Sequence, residues 1–241
     1  MDEELEQSGH EVTEDIPAKV TEYLGHVLKK QREEALALLR SMADSKAFTL
    51  IQLFQILAKS QQEVGSLWAM GAITVADEHY ATDVAQEAID MLANKFRRFH
   101  RETVGTALLA NFVEGEFHTV GLKMFSELLK ADGWDVELFT TSLHVANLFN
   151  YLDRAGKKFD LICCSVTMEF NLDELCSILK ILRTNIHTKD TTVLVGSQLF
   201  HAKSFREKMI DEETDKQLAD FLAMGFEDGM EFVRTVGKKL T

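Results

Sequence analysis

The stretch that decides the fold is TALLANFVEGEFHTVGLKMFSELLKADGWDVELFT, residues 106–140. It begins with a short apolar run, residues 106–113, and continues with a helical pattern of apolar residues over residues 118–132 that ends at Gly133. A second apolar run follows at residues 136–140. Strands this apolar are buried on both faces, as in a parallel sheet covered by helices. The stretch therefore predicts a strand–helix–strand unit of an α/β domain.

The same alternation continues toward the C-terminus. Apolar runs at residues 161–166 and 191–196 predict two further strands, each preceded by a helical segment. We therefore expect a flavodoxin-like, doubly wound parallel sheet over residues 103–241. After the fourth strand, the pattern predicts a polar helix over residues 205–224, a short fifth strand at residues 225–228 and a closing helix.

The first half of the chain predicts helices only. Apolar residues recur at helical spacing in successive segments between residues 16 and 102, with charged residues between them. Short connections between such helices favour an antiparallel four-helix bundle. Thr74 fits the N-cap of the last of these helices. Residues 1–15 are acidic and polar, and we expect them to be disordered.

Composition excludes several classes of protein. No apolar run is long enough to cross a membrane. The chain has 26 Lys and Arg against 39 Asp and Glu, a net charge of −13 that opposes contact with the phosphate backbone. We therefore expect no direct binding to DNA. Three cysteines, two of them adjacent, give no zinc spacing and no disulfide framework, so we expect a cytoplasmic location.

The loop after the first strand carries His118 two residues after Glu116. In open parallel sheets, ligands bind at the carboxyl ends of the strands. A carboxylate that accepts from one ring nitrogen fixes the tautomer and leaves the other ring nitrogen for a metal. Gly121 allows a bulky planar group to approach the start of the next helix. The alternative is a surface histidine that caps this helix.

The series Glu116-x-His118-x-x-Gly121 resembles the Asp/Glu-x-His-x-x-Gly motif of cobalamin-binding modules. The resemblance implies that His118 is the lower axial ligand of cobalt and replaces the nucleotide base of the cofactor. In that family a Ser-x-Leu follows on the third strand, and Ser165-Val166-Thr167 stands here. The resemblance implies that Ser165 supports the displaced base, and Thr167 departs from the pattern.

The family also carries a Gly-Gly on the fourth strand, where this chain has Gly196-Ser197. Ser197 replaces a glycine that leaves room for the nucleotide tail. The resemblance thus assigns Gly196 and Ser197 to the cofactor site and puts the packing of the tail in question.

The helical half contains a second pattern, Trp68 followed after nine residues by Glu78 and His79. An indole covers a flat group, and Glu and His bond polar edges. The alternative is a core tryptophan and a polar helix start. The spacing resembles the Trp-x9-Glu-His signature of light-sensing regulators of the CarH and AerR type, whose bundle covers the upper face of adenosylcobalamin. Ala69 stands where well-known members have a second cobalt-binding histidine.

This resemblance implies a non-enzymatic cobalamin sensor without a DNA-binding domain. Adenosylcobalamin is the favoured cofactor, with methylcobalamin as the other form, and light is the expected signal. The output is a regulatory protein partner or self-association. The alternative is a corrinoid methyl-carrier protein of a methyltransferase system. Catalysis by another route has no support, because the sequence contains no Gly-x-Ser-x-Gly, Walker loop or His-Glu-x-x-His.

Overall fold

The computed structural model describes residues 3–97 and 103–240, with side chains from residue 16 onward. The chain forms two compact units, Met1–Arg97 and Arg98–Thr241.

The described part of the first unit consists of helices. The segment expected to be disordered, residues 1–15, falls largely inside the first helix, which begins at Glu3. Acidic residues are favoured at a helix N-terminus by the helix dipole, and the sequence is acidic there. The four helices are α1 (Glu3–Leu28), α2 (Arg32–Ser45), α3 (Leu50–Ala69) and α4 (Val75–Phe96).

The start of α4 is fixed by a capping box. The Thr74 hydroxyl accepts from the Asp77 N–H, and the Asp77 carboxylate accepts from the Thr74 N–H at 2.9 Å. Thr74 is thus confirmed as the N-cap. Lys30, in the turn after α1, lies 2.7 Å from the same carboxylate. Together these contacts hold the first turn of α4, which carries Glu78 and His79.

The second unit is built on a parallel sheet flanked by helices, as the sequence predicts. Its elements are β1 (Thr106–Leu109), α5 (Val120–Ala131), β2 (Asp135–Leu138), α6 (Val145–Ala155), β3 (Leu161–Ser165), α7 (Leu172–Thr184), β4 (Thr192–Gly196), α8 (Lys203–Lys208), β5 (Ile210–Asp211), β6 (Lys216–Gln217), β7 (Phe221–Ala223) and α9 (Phe226–Leu240).

Among the described residues, the main sheet has five strands in the order β2-β1-β3-β4-β7, all parallel. The strand order reverses between β1 and β3, which makes their carboxyl ends the topological switch point. Burial raises the pKa of the Cys163 and Cys164 thiols in β3, so these groups stay neutral core residues. This topology brings the loops after β1, β3 and β4 to one edge of the sheet.

The last part of the α/β unit differs from its prediction. The segment expected to form one polar helix contains α8 and the β5–β6 hairpin, and the fifth strand lies at Phe221–Ala223. Asp228 explains the shift, because its carboxylate accepts from the N–H groups of Met224 and Gly225 at 2.8 Å. These bonds start α9 within the stretch that we expected to be a strand.

Two helix glycines test the packing of the units. A methyl group added at Gly237 would lie 2.7 Å from Val104 Cγ1, so we expect Gly237→Ala to lower the free energy of unfolding by about 1–3 kcal/mol. A Cβ added at Gly65 in α3 would meet no heavy atom within 4 Å apart from the backbone of its own helix. Gly65→Ala should therefore raise the stability of the helical unit by about 0.5–1 kcal/mol. Urea unfolding followed by circular dichroism measures both changes. If the two variants changed the free energy of unfolding in the same direction, the packing described at Gly237 and Gly65 would be contradicted.

Candidate functional site

The centre of the candidate site is the contact between Glu116 and His118 in the loop from β1 to α5. Glu116 is fully buried, whereas the His118 side chain is 57% exposed. Glu116 Oε1 lies 2.5 Å from His118 Nδ1. An ionised carboxylate only accepts, so Nδ1 carries the proton. Nε2 is therefore the nitrogen through which this imidazole would bind a metal.

The buried carboxylate is held ionised by the loop after β3. Its second oxygen, Oε2, accepts from the Thr167 N–H and from Asn171 Nδ2, both at 3.0 Å. Burial by itself would raise the pKa of Glu116. The hydrogen bonds from His118, Thr167 and Asn171 outweigh it and lower this pKa to about 2. A permanent negative charge thus orients the imidazole.

Asn111 and Asn171 belong to the site, although our sequence reasoning missed both. Asn111 is fully buried. Its Oδ1 accepts two hydrogen bonds from Ser165, from the N–H at 3.1 Å and from Oγ at 2.9 Å. Its Nδ2 donates to the His118 carbonyl. A polar Asn inside the apolar run at residues 106–113 was the available signal. The two asparagines join the loops on either side of the switch point.

The end of β4 lies beside this network, because Ser165 pairs with Gly196 in the sheet. Ser197 is 9% exposed; its Oγ donates to the Val166 carbonyl at 2.6 Å and its N–H donates to the Ala223 carbonyl at 3.0 Å. The structure thus brings together the predicted residues of the α/β unit that lie on β1, β3 and β4 or in the loops after them.

Two exposed phenylalanines and an exposed glycine lie in the two loops that carry the Glu116 network and at the start of α5. Gly121 is exposed, and a Cβ added there would meet no heavy atom within 4 Å. Neither close packing nor a positive φ requires glycine at this position. Phe117 is 80% exposed and Phe170 is 76% exposed, and each adjoins a residue that bonds Glu116. Both rings are therefore accessible to a ligand or partner that contacts these loops.

The predicted residues of the helical unit lie near the end of α3 and the start of α4. Trp68 is 51% exposed, so it does not belong to the core of the bundle. His79 Nδ1 lies 2.5 Å from Glu78 Oε2, and the His79 side chain is 74% exposed. Thr82 donates to the other oxygen of Glu78 at 3.0 Å. This contact repeats the carboxylate–imidazole geometry of the α/β unit.

Residues 20–93, in the helical unit, match the family model described as a B12 binding domain. Nearly the whole chain has the fold of the Methanosarcina barkeri monomethylamine corrinoid protein. The TM-score is 0.69 at 14% identity, over 89% of this chain and 96% of that one. A search of curated proteins found no match.

Two further solved structures align with lower TM-scores. The cobalamin-binding protein from Desulfitobacterium hafniense DCB-2 has a TM-score of 0.45 at 17% identity, over 90% of this chain and 98% of that one. The methanol:cobalamin methyltransferase complex MtaBC from Methanosarcina barkeri has a TM-score of 0.44 at 13% identity, over 92% and 80%. At these TM-scores, neither adds to the argument.

The family match concerns residues 20–93, and the solved structure at 14% identity shows a shared fold. They do not single out the light-sensing CarH and AerR type that the sequence motifs resemble. Over residues 3–97 and 103–240, no helix is long and apolar enough to span a membrane.

Replacing Glu116 tests its charge. Glu116→Gln would place an amide donor against the Thr167 N–H or Asn171, so we expect a loss of about 2 kcal/mol of stability at pH 7. The pKa of about 2 lies below the ordinary 4.5, so the carboxylate stabilises the fold above pH 4.5. That contribution is lost as the pH falls toward 2, and parent and variant should converge. Urea unfolding at several pH values measures this; Glu114→Gln, at an exposed position of the same loop, is the control.

Proposed function

We propose that this chain binds a cobalamin in the base-off form, with Nε2 of His118 as the lower axial ligand of cobalt. The observation that carries the proposal is the 2.5 Å contact between His118 Nδ1 and the buried, ionised Glu116. A surface histidine that only capped α5 would have no need of a buried carboxylate behind it.

The residues present fit such a cofactor. Neutral imidazole is a good ligand for a borderline metal, and a carboxylate on its far nitrogen fixes the ring and raises its basicity. The open space at Gly121 and the exposed rings of Phe117 and Phe170 suit a broad, flat macrocycle next to His118. When bound, the cofactor supplies a reactive cobalt–carbon bond. The residues of the chain itself hold, orient and shield it.

The first candidate use is that of a methyl carrier. The protein that shares the fold over nearly the whole chain is described as a monomethylamine corrinoid protein. In this role the chain would present its cofactor to a methyltransferase partner and would have no catalytic activity of its own. His118 and Glu116 would hold the cofactor in place, and its cobalt would supply the atom that carries the methyl group.

The second candidate use is that of a light sensor that binds adenosylcobalamin. The observation that favours it is the set of exposed Trp68, exposed His79 and half-buried Glu78, whose order and spacing resemble the regulators named above. In this role the indole would cover the adenosyl group, and its loss in light would change binding to a regulatory protein or to a second copy. Ala69 excludes a replacement ligand at that position.

Replacing His118 tests cobalamin binding itself. We expect the parent protein to shift the visible spectrum of methylcobalamin or adenosylcobalamin to that of an imidazole-ligated, base-off species. His118→Ala should abolish this shift and weaken binding by at least about tenfold, because cobalt loses its protein ligand. His187→Ala removes a half-buried histidine elsewhere in the α/β unit and should bind as the parent does. Identical spectra for the parent and His118→Ala would contradict the assignment of His118 as the cobalt ligand.

Replacing Trp68 separates the two uses. In a sensor, Trp68→Ala should weaken adenosylcobalamin by about tenfold and spare hydroxocobalamin, since only the former places an adenosyl group against the indole. Green light should then change the hydrodynamic size of the adenosylcobalamin complex. Equal effects of the variant on both cofactors, with one size in dark and light, would favour the methyl carrier.

A further inference from the structure

We infer that a polar cavity beside the loop of His118 binds an uncharged amide side chain of the corrin ring. The inference rests on the proposed function and deepens it. The cavity lies between the loops after β1 and β2. The residues that the sequence motifs assign to the α/β unit lie instead on β3 and β4 or in the loops after β1, β3 and β4. The cavity is therefore a part of the site that these motifs do not contain.

The cavity has a volume of about 220 Å³. An apolar cavity of about 150 Å³ holds benzene, so this one has room for an amide side chain. One aromatic ring and four polar side chains line it: Phe112, Glu114, Ser142, His144 and Asn147. Phe112 is buried in the core, whereas Glu114, His144 and Asn147 are exposed. A ligand thus meets a fixed apolar side and polar groups that water also reaches.

Hydrogen bonds of Asn111 connect the cavity to the loop of His118. The Asn111 carbonyl accepts from the Leu143 N–H at 2.8 Å, and Asn111 Nδ2 donates to the His118 carbonyl at 3.3 Å. Two of the lining residues adjoin this contact in sequence, since Phe112 follows Asn111 and Ser142 precedes Leu143. The amide side chains of a corrin surround its ring. A corrin held by His118 therefore brings some of them to the neighbouring loops.

The polar side chains of the cavity suit a ligand that both donates and accepts hydrogen bonds. His144 Nδ1 accepts from the Ala146 N–H at 3.2 Å, so the proton of this imidazole lies on Nε2, which is a donor. The Glu114 carboxylate is an acceptor, and the Ser142 hydroxyl and the Asn147 amide can do both. A primary amide offers a carbonyl to the donors and an NH₂ group to the acceptors.

Glu114 makes the cavity selective against negative charge. An exposed glutamate is ionised at neutral pH. Of the five lining residues, Glu114 is the one that is charged when His144 is in the neutral form just described. The Glu114 N–H also donates to Glu174 Oε1 at 3.3 Å, which brings a second carboxylate close to this loop. A carboxylate in place of the amide would lose the NH₂ donor and be repelled by both groups.

Monocarboxylic acids of methylcobalamin, in which one propionamide of the ring is hydrolysed, test this selectivity. Visible titrations of the full-length protein at pH 7 give the dissociation constants. We expect at least one isomer to bind about tenfold more weakly than methylcobalamin, and Glu114→Gln to reduce that difference to about threefold or less. Asp153→Asn removes an exposed carboxylate from α6 and is the matched control, which should leave the difference unchanged.

A second variant tests the hydrogen bonds rather than the charge. Asn147→Leu keeps the size of the side chain and removes its amide. It should weaken methylcobalamin by about tenfold, the scale of one hydrogen bond. Asn150→Leu makes the same change at an exposed position of the same helix that does not line the cavity, and it should bind as the parent does.

The outcomes separate this inference from the proposed function. If methylcobalamin gives no imidazole-ligated spectrum with the parent, the proposed function fails. If it does, the amide subsite is overturned when every monocarboxylic acid binds as methylcobalamin does, or when Glu114→Gln acts no differently from Asp153→Asn. Equal binding by Asn147→Leu and Asn150→Leu overturns it as well. In each of these cases cobalamin binding stands.

Discussion

The α/β unit depends on one buried charge. Glu116 lies in a loop, yet it is fully buried, and it is bonded by His118 on its own loop and by Thr167 and Asn171 on the loop after β3. An unpaired carboxylate there would be strongly unfavourable, so these partners stabilise the conformation of the loop. The same bonds that make the charge tolerable also orient the imidazole. The same hydrogen bonds therefore stabilise the loop and fix the geometry of the site.

The two carboxylate–imidazole pairs found among the described side chains, residues 16–97 and 103–240, show what burial adds. Glu78 and His79 make a contact of the same length as Glu116 and His118. The Glu78 side chain is 28% exposed, however, whereas Glu116 is excluded from water. Exposed pairs of this kind contribute little and rearrange easily, while a buried pair with further donors holds one geometry. The helical unit thus presents an adaptable imidazole and the α/β unit a fixed one.

Much of the fold could be predicted from the sequence, because strands buried on both faces appear as isolated apolar runs. The end of the chain could not, since Asp228 starts α9 through local bonds that compete with a strand pattern. At the site, Glu116 and His118 are visible because they are two residues apart. Asn171 bonds Glu116, which is 55 residues away, so no local pattern indicates its role. Asn111 interrupts an apolar run, but its partner Ser165 is 54 residues away and cannot be read from that run.

The placement of the two tryptophans has an optical consequence. Trp68 is half exposed in the helical unit, and Trp134, only 5% exposed, packs near Gly105 in the α/β unit. Because indole emission depends on contact with water, the two residues emit at different wavelengths. The chain therefore carries an intrinsic fluorophore in each unit. A ligand that covers Trp68 therefore changes the long-wavelength part of the tryptophan fluorescence, and the emission of Trp134 serves as an internal reference.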